Sequence, residues 1–176
     1  MDYTVTYLEM SERPKYPRPP MPYNRPAALF HAEKPPVWYF LSLYDAVGSH
    51  YHWTDMHDLP TEELRSFVQH EKVTLYTLMR DGWPAGFFML DRRQGGVCDL
   101  AYFGLVPEAI GLGLGKYLLH TAIHMAWDDD KTKLVTVNTC TLDHPRALQL
   151  YQSCLIYVAI KALSNTRPAI PFNTFN

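Results

Sequence analysis

Cysteine is scarce: Cys98, Cys140 and Cys154 stand far apart in a chain of 176 residues. Three scattered thiols argue against a disulfide framework and a cysteine-built zinc site, and fit a reducing, cytoplasmic compartment. An excess of charge is also missing. Sixteen Lys and Arg meet 18 Asp and Glu, a net charge of −2, which gives no electrostatic footprint for nucleic acid or an anionic membrane. No run approaches the roughly 18 apolar residues of a membrane span. The start, "MDYTVTYLEM", lacks the basic segment and apolar core of a secretory signal. Glycine is sparse, with nine in all, yet three of them fall within five residues, "GLGLG" at 111–115. Hydrophobic residues make up 47% of the chain, enough for a sizeable core, and the length suits one domain spanning 1–176.

Proline is distributed unevenly. Eight of the 14 prolines lie in residues 12–36, which predicts an irregular surface arm, its role open. Before it, "YTVTYLE" (3–9) alternates like a strand. After it, "PVWYFLSLYDAV" (36–47) reads as a helix ended by Gly48, and "PTEELRSFVQ" (60–69) as a second, with acidic residues in its first turn. The runs 73–80 and 83–92 flank Asp81-Gly82, a strong hairpin signal. A third run, 97–106, follows Gly95-Gly96, so 73–106 reads as an antiparallel meander. A helix over 113–127, a strand over 133–139, a helix over 144–154 and a strand over 156–163 complete the pattern. The order β, α, α, β, β, β, α, β, α, β predicts an α/β fold with a mixed, mostly antiparallel sheet and helices on its faces.

The glycines sit between a strand and a helix, in "AIGLGLGKYLL" (109–119). A helix start exposes about four unpaired N–H groups and a partial positive charge, which favours phosphate. Glycine lets those amides approach without a Cβ in the way. Two common phosphate loops do not fit. The nucleotide P-loop G-x-x-x-x-G-K-[ST] would need glycine at Ile110 and Ser or Thr at Tyr117. The dinucleotide fingerprint G-x-G-x-x-G finds Lys116 in place of its third glycine.

Together, "LVPEAIGLGLGKYLL" and "HPRALQLY" resemble the signatures of the GNAT family of acyl-CoA-dependent N-acetyltransferases. Gly113 and Gly115 match the last fixed positions of the family loop [QR]-x-x-G-x-[GA], and Ala147, Leu150 and Tyr151 match its downstream A-x-x-L-Y. The likeness covers about residues 73–163. Ile110 stands where Gln or Arg is usual, His144 replaces Asn, and Leu155-Ile156 replace Gly-Phe.

The resemblance implies a GNAT-like acyltransferase fold whose sheet splays near its middle, with acetyl-CoA as co-substrate and no metal. Main-chain groups of Leu105 and Val106 would pair with the pantetheine arm. Amides from Ile110 and Gly111 through Leu112, Gly113, Leu114, Gly115 and Lys116 to Tyr117 would cradle the pyrophosphate, with His144 also near coenzyme A. The reaction would be direct attack of a primary amine on the thioester. An alkyl ammonium has a pKa near 10.4, so at pH 7 only about 1 in 2,500 is neutral, a handicap of roughly 4.6 kcal/mol. Asp99, 16 residues before Gly115, is the expected base, and Tyr151 the expected acid that protonates the thiolate.

The segment "GSHYHWTDMHD" (48–58) is dense in His and Asp. It has no metal-ligand spacing beyond H-x-H, so Tyr51 and Trp53 are expected to form acceptor wall rather than part of a zinc site. His120 and His124 are expected on an exposed helix face. The acceptor itself is not named by the sequence, and a small molecule is favoured over a protein amine. A catalytically silent acyl-CoA-binding regulator is the alternative. The tail "PAIPFNTFN" is suited to closing over the domain or packing on a second copy in a homodimer.

Overall fold

A computed structural model of the chain describes residues 3–154 and the backbone of 160–164. Seven strands form one sheet: β1 (Tyr3–Met10), β2 (Ala27–Ala32), β3 (Val73–Arg80), β4 (Trp83–Asp91), β5 (Val97–Leu105), β6 (Leu134–Cys140) and β7 (Ile160–Ser164). Their spatial order is β2-β3-β4-β5-β6-β1-β7. All neighbours are antiparallel except β5 and β6. The helices are α1 (Val37–Gly48), α2 (Thr61–Val68), α3 (Leu114–Ala126) and α4 (Ala147–Gln152).

The meander follows its local chemistry. Asp81 and Gly82 both take positive φ, 53° and 88°, as a two-residue hairpin turn of the primed kind demands. β4 is the central strand of the meander, and Ala85 through Asp91 are all buried, so it reads as continuous apolar sequence where alternation would mark a half-exposed strand. Between Met89 and Leu90 the register with β5 shifts, leaving Ala101 unpaired as a bulge. The bulge sends Leu100 towards Ala122 and Ile123 of α3. Tyr102 instead reaches the aromatic cluster of Phe40, Tyr44 and Trp53.

Two expectations need correction. The arm is irregular only in part, because the proline-free stretch Ala27–Ala32 pairs with β3 as the edge strand β2. Its preceding residues lie along α3. Arg13 donates to the Trp127 carbonyl and to Asp130, Arg18 to Asp128, and the Tyr16 ring stacks 4.1 Å from His120. His124 meets the Tyr16 carbonyl at 3.1 Å. His120 and His124 are therefore half-buried supports of the arm rather than an exposed face.

The helix expected over 144–154 is confined to Ala147–Gln152, because His144 and Pro145 are used in the turn before it. Residues 155 and 156, the start of the last strand and the tail from 165 onward lie outside the described residues. So does any homodimer contact of that tail. Among the described residues no helix is long and apolar enough to cross a membrane.

Candidate active site

The site begins where the sheet forks. β5 and β6 pair in parallel at Val97↔Leu134, Cys98↔Val135 and Asp99↔Thr136, and then part. β5 continues to Leu105 and β6 to Cys140, so the second half of β5 has no strand partner on that side. The space between them opens into a cavity of about 460 Å³, walled by Leu100–Leu105 of β5 and by Asn138 of β6. Gly104 keeps that wall thin, since a Cβ there would run into the Val47 side chain of α1.

The glycine loop closes one end of the cavity. Gly111 and Gly113 have φ of 85° and 76°, the left-handed region that side chains disfavour. Leu112 points outward and is 52% exposed. Gly113 precedes the first residue of α3, and no side chain caps that terminus. The early amides of α3 are therefore free to meet an anion at the cavity. Lys116 and Arg146 add cationic side chains to the same walls.

Most expected site residues meet here. Leu105, Ile110, Gly111, Gly113, Leu114, Gly115, Lys116, His144, Tyr151, Tyr51 and Trp53 all line the cavity. Others do not. The Val106 N–H donates to the Ala85 carbonyl at 3.0 Å, so it is already used within the sheet. The Tyr117 hydroxyl turns to the Met21 sulfur in the arm, and Leu112 lies outside the walls.

Asp99 sits at the apex of the fork, one residue before the cavity wall begins. One carboxylate oxygen accepts from the Thr136 hydroxyl. The other, Oδ2, is shielded from solvent and has no hydrogen-bond partner among the described residues. Burial pushes its pKa up to about 6; the Thr136 hydrogen bond opposes this, nearby Asp91 adds to it, and Arg93 works against it.

Sequence reasoning missed several walls. Asn138, Asp143 and Arg146 line the cavity, and Asp55 appeared only within the discounted metal cluster. Asp55 accepts from the hydroxyls of Tyr44 at 2.6 Å and Tyr102 at 2.9 Å. Asp143 accepts from Thr139, from the Cys140 N–H and from the Trp53 indole. The alternation of β6 could have revealed Asn138, because Val135 and Val137 are buried and Asn138 must face the other way. His57 pairs with Asp45, and among the described residues no three or more His, Cys, Asp or Glu are grouped so as to hold a metal ion.

This arrangement defines a class: a forked mixed sheet with a glycine loop and an uncapped helix at one end of the fork. The model of the acetyltransferase (GNAT) family matches residues 40–155, and the chain belongs to that family. No curated protein matches its sequence. Among solved structures, it is similar to a conserved protein of unknown function from Staphylococcus epidermidis, with a TM-score of 0.61 and 14% identity over 92% of this chain. This chain spans only 60% of that protein. It is also similar to an aminoglycoside acetyltransferase from an uncultured soil metagenomic sample, with a TM-score of 0.57 and 12% identity over 72% of this chain and 86% of the other. An IAA acetyltransferase from Bacillus cereus gives a TM-score of 0.51 and 19% identity over 73% and 75% of the two chains. At these identities the likeness speaks for the fold.

Proposed function

We propose that the protein transfers acetyl from acetyl-CoA to a primary amine, by direct attack and without a metal. The observation that carries this reading is the fork. One cavity joins the unpaired edge of β5, the uncapped start of α3 and the Tyr151 side chain. An acyl-pantetheine arm fits along β5 as a strand-like partner, with its pyrophosphate on the amides around Gly113 to Lys116. The amine nitrogen attacks the thioester carbonyl, the carbon–sulfur bond breaks, and the thiolate takes a proton from Tyr151. The proton lost by the amine passes to Asp99, whose raised pKa and unpartnered oxygen suit a base. His144 contacts coenzyme A, and the aromatic walls Tyr51 and Trp53 border the acceptor. The likeness to an aminoglycoside acetyltransferase favours a small-molecule acceptor. Free Cys98, Cys140 and Cys154 suit a cytoplasmic setting.

Calorimetric titration with acetyl-CoA tests the reading. Micromolar binding is expected, with loss in Gly115→Glu. A Cβ at Gly115 meets only ordinary contacts, at 3.7 Å from Leu150 and 3.8 Å from Leu105, so this variant keeps the fold while placing a carboxylate where phosphate belongs. Absence of binding in the wild type, under conditions where circular dichroism shows a folded protein, refutes the assignment.

A further inference from the structure

The cavity contains a carboxylate that the acetyl-CoA reading does not use. Asp55 comes from the loop between α1 and α2, whereas Lys116 and Arg146 belong to α3 and the turn into α4. No Lys, Arg or His among the described residues lies within ion-pair distance of Asp55. Asp55 is half-buried on the cavity wall, and an ammonium in the cavity would supply the cationic partner that the described residues do not.

Asp55 differs in this from Asp143. Asp143 holds the chain turn after β6 and the Trp53 indole, through three donors. Asp55 receives one phenol hydroxyl on each oxygen. A carboxylate offers about four lone-pair sites, so two remain for a ligand. The two phenols fix the group rigidly, one from α1 and one from β5. Around it stand Tyr51, Trp53 and Tyr102, and the Trp53 and Tyr102 ring centroids are 5.5 Å apart. The two rings meet edge-on and are themselves buried, so they give the cavity an apolar wall beside the carboxylate.

We propose that Asp55 is the acceptor-binding carboxylate, and that the acceptor is a primary ammonium carried on an apolar body. This rests on the acetyltransferase reading above and adds the class of acceptor. Asp55 receives the ammonium by charge-assisted hydrogen bonds, and the aromatic side chains hold the body of the molecule.

The test uses the full chain saturated with coenzyme A. The probes are 2-phenylethylamine and its neutral counterpart 2-phenylethanol, titrated by calorimetry into wild type, Asp55→Asn and Tyr102→Phe. The wild type is expected to prefer the amine by about ten-fold or more, as a charge-assisted contact warrants. Asp55→Asn keeps the shape, its amide oxygen accepting from one phenol and its NH2 donating to the oxygen of the other, and it should lose the preference while binding coenzyme A unchanged. Tyr102→Phe keeps the charge and should keep the preference. Coenzyme A binding with no preference for the amine, or a preference that survives in Asp55→Asn, overturns this inference and leaves the acetyltransferase reading standing. Failure to bind coenzyme A overturns both.

Discussion

Replacing Asp99 with Asn should stabilise the protein above pH 7 and do much less near pH 4. In the folded chain the Asp99 pKa is raised from an ordinary 3.8 to about 6. A raised folded pKa means that the native state holds a proton which the unfolded state has already released. Stability from this group is then fully present below the unfolded value and is lost as pH rises through the folded one. The shift of about two units, at about 1.36 kcal/mol each, gives about 3 kcal/mol of lost stability at pH 8. Asn cannot ionise, yet it still accepts from the Thr136 hydroxyl, so its own hydrogen-bond difference is constant with pH. Urea denaturation of both proteins from pH 4 to pH 8 checks this. The gap between variant and wild type should widen by about 3 kcal/mol, mostly between pH 4 and 6.5. Taking the difference cancels other carboxylates, and the coupled neighbour Asp91 is itself held by Arg93 at 2.7 Å. A gap that stays constant with pH, or narrows, refutes the claim that a charge is trapped at the fork.

Four further outcomes follow from the same contacts. Once an acceptor is in hand, kcat/KM should rise with pH through a group of pKa about 6 and level off, and a pH profile of Asp99→Asn should lack that limb. Tyr151→Phe should cut kcat by about 100-fold or more with acetyl-CoA affinity unchanged, and an unchanged kcat would mean that the ring only packs. Gly104→Ala drives a methyl into Val47 and should cost about 1–3 kcal/mol in thermal or urea unfolding; an unchanged midpoint would mean that α1 is free to retreat. Arg18→Ala breaks an ion pair whose side chains are 50% and 55% exposed, so it should cost no more than about 1 kcal/mol. Tyr16→Ala, which strips a ring from His120, should cost about 1–2 kcal/mol, and the opposite ranking in urea unfolding would contradict the arm's packing.

Local periodicity made much of this fold legible. The strands 73–80, 83–91 and 97–105 fall where alternation and the turn residues Asp81-Gly82 and Gly95-Gly96 put them. The glycine loop was readable because positive φ at Gly111 and Gly113 is a backbone demand that sequence states directly. What was not legible is long-range. β1 lies between β6 and β7, pairing Val5 with Cys140 and with Ala162, and no local signal says which strands a chain start will separate. The six residues of β2 lack strict alternation and follow a proline-rich run, so they read as arm until their pairing with β3 is seen. His120 and His124 looked solvent-facing because the covering Tyr16 is more than 100 residues away.

The site was half legible for a related reason. Backbone-binding elements announce themselves through glycine, whereas a side chain that waits for a ligand announces itself only by what surrounds it. Asp55 reads in sequence as one more acid in a histidine-rich loop. In space it is tied to Tyr44 and Tyr102 and lies on the wall of the cavity that begins beside Asp99. Among the described residues, no basic side chain lies within ion-pair distance of either carboxylate. Two carboxylates so placed have a joint use if one holds an ammonium and the other takes its proton. The ammonium's handicap of roughly 4.6 kcal/mol at neutral pH is the reason such a pair is needed.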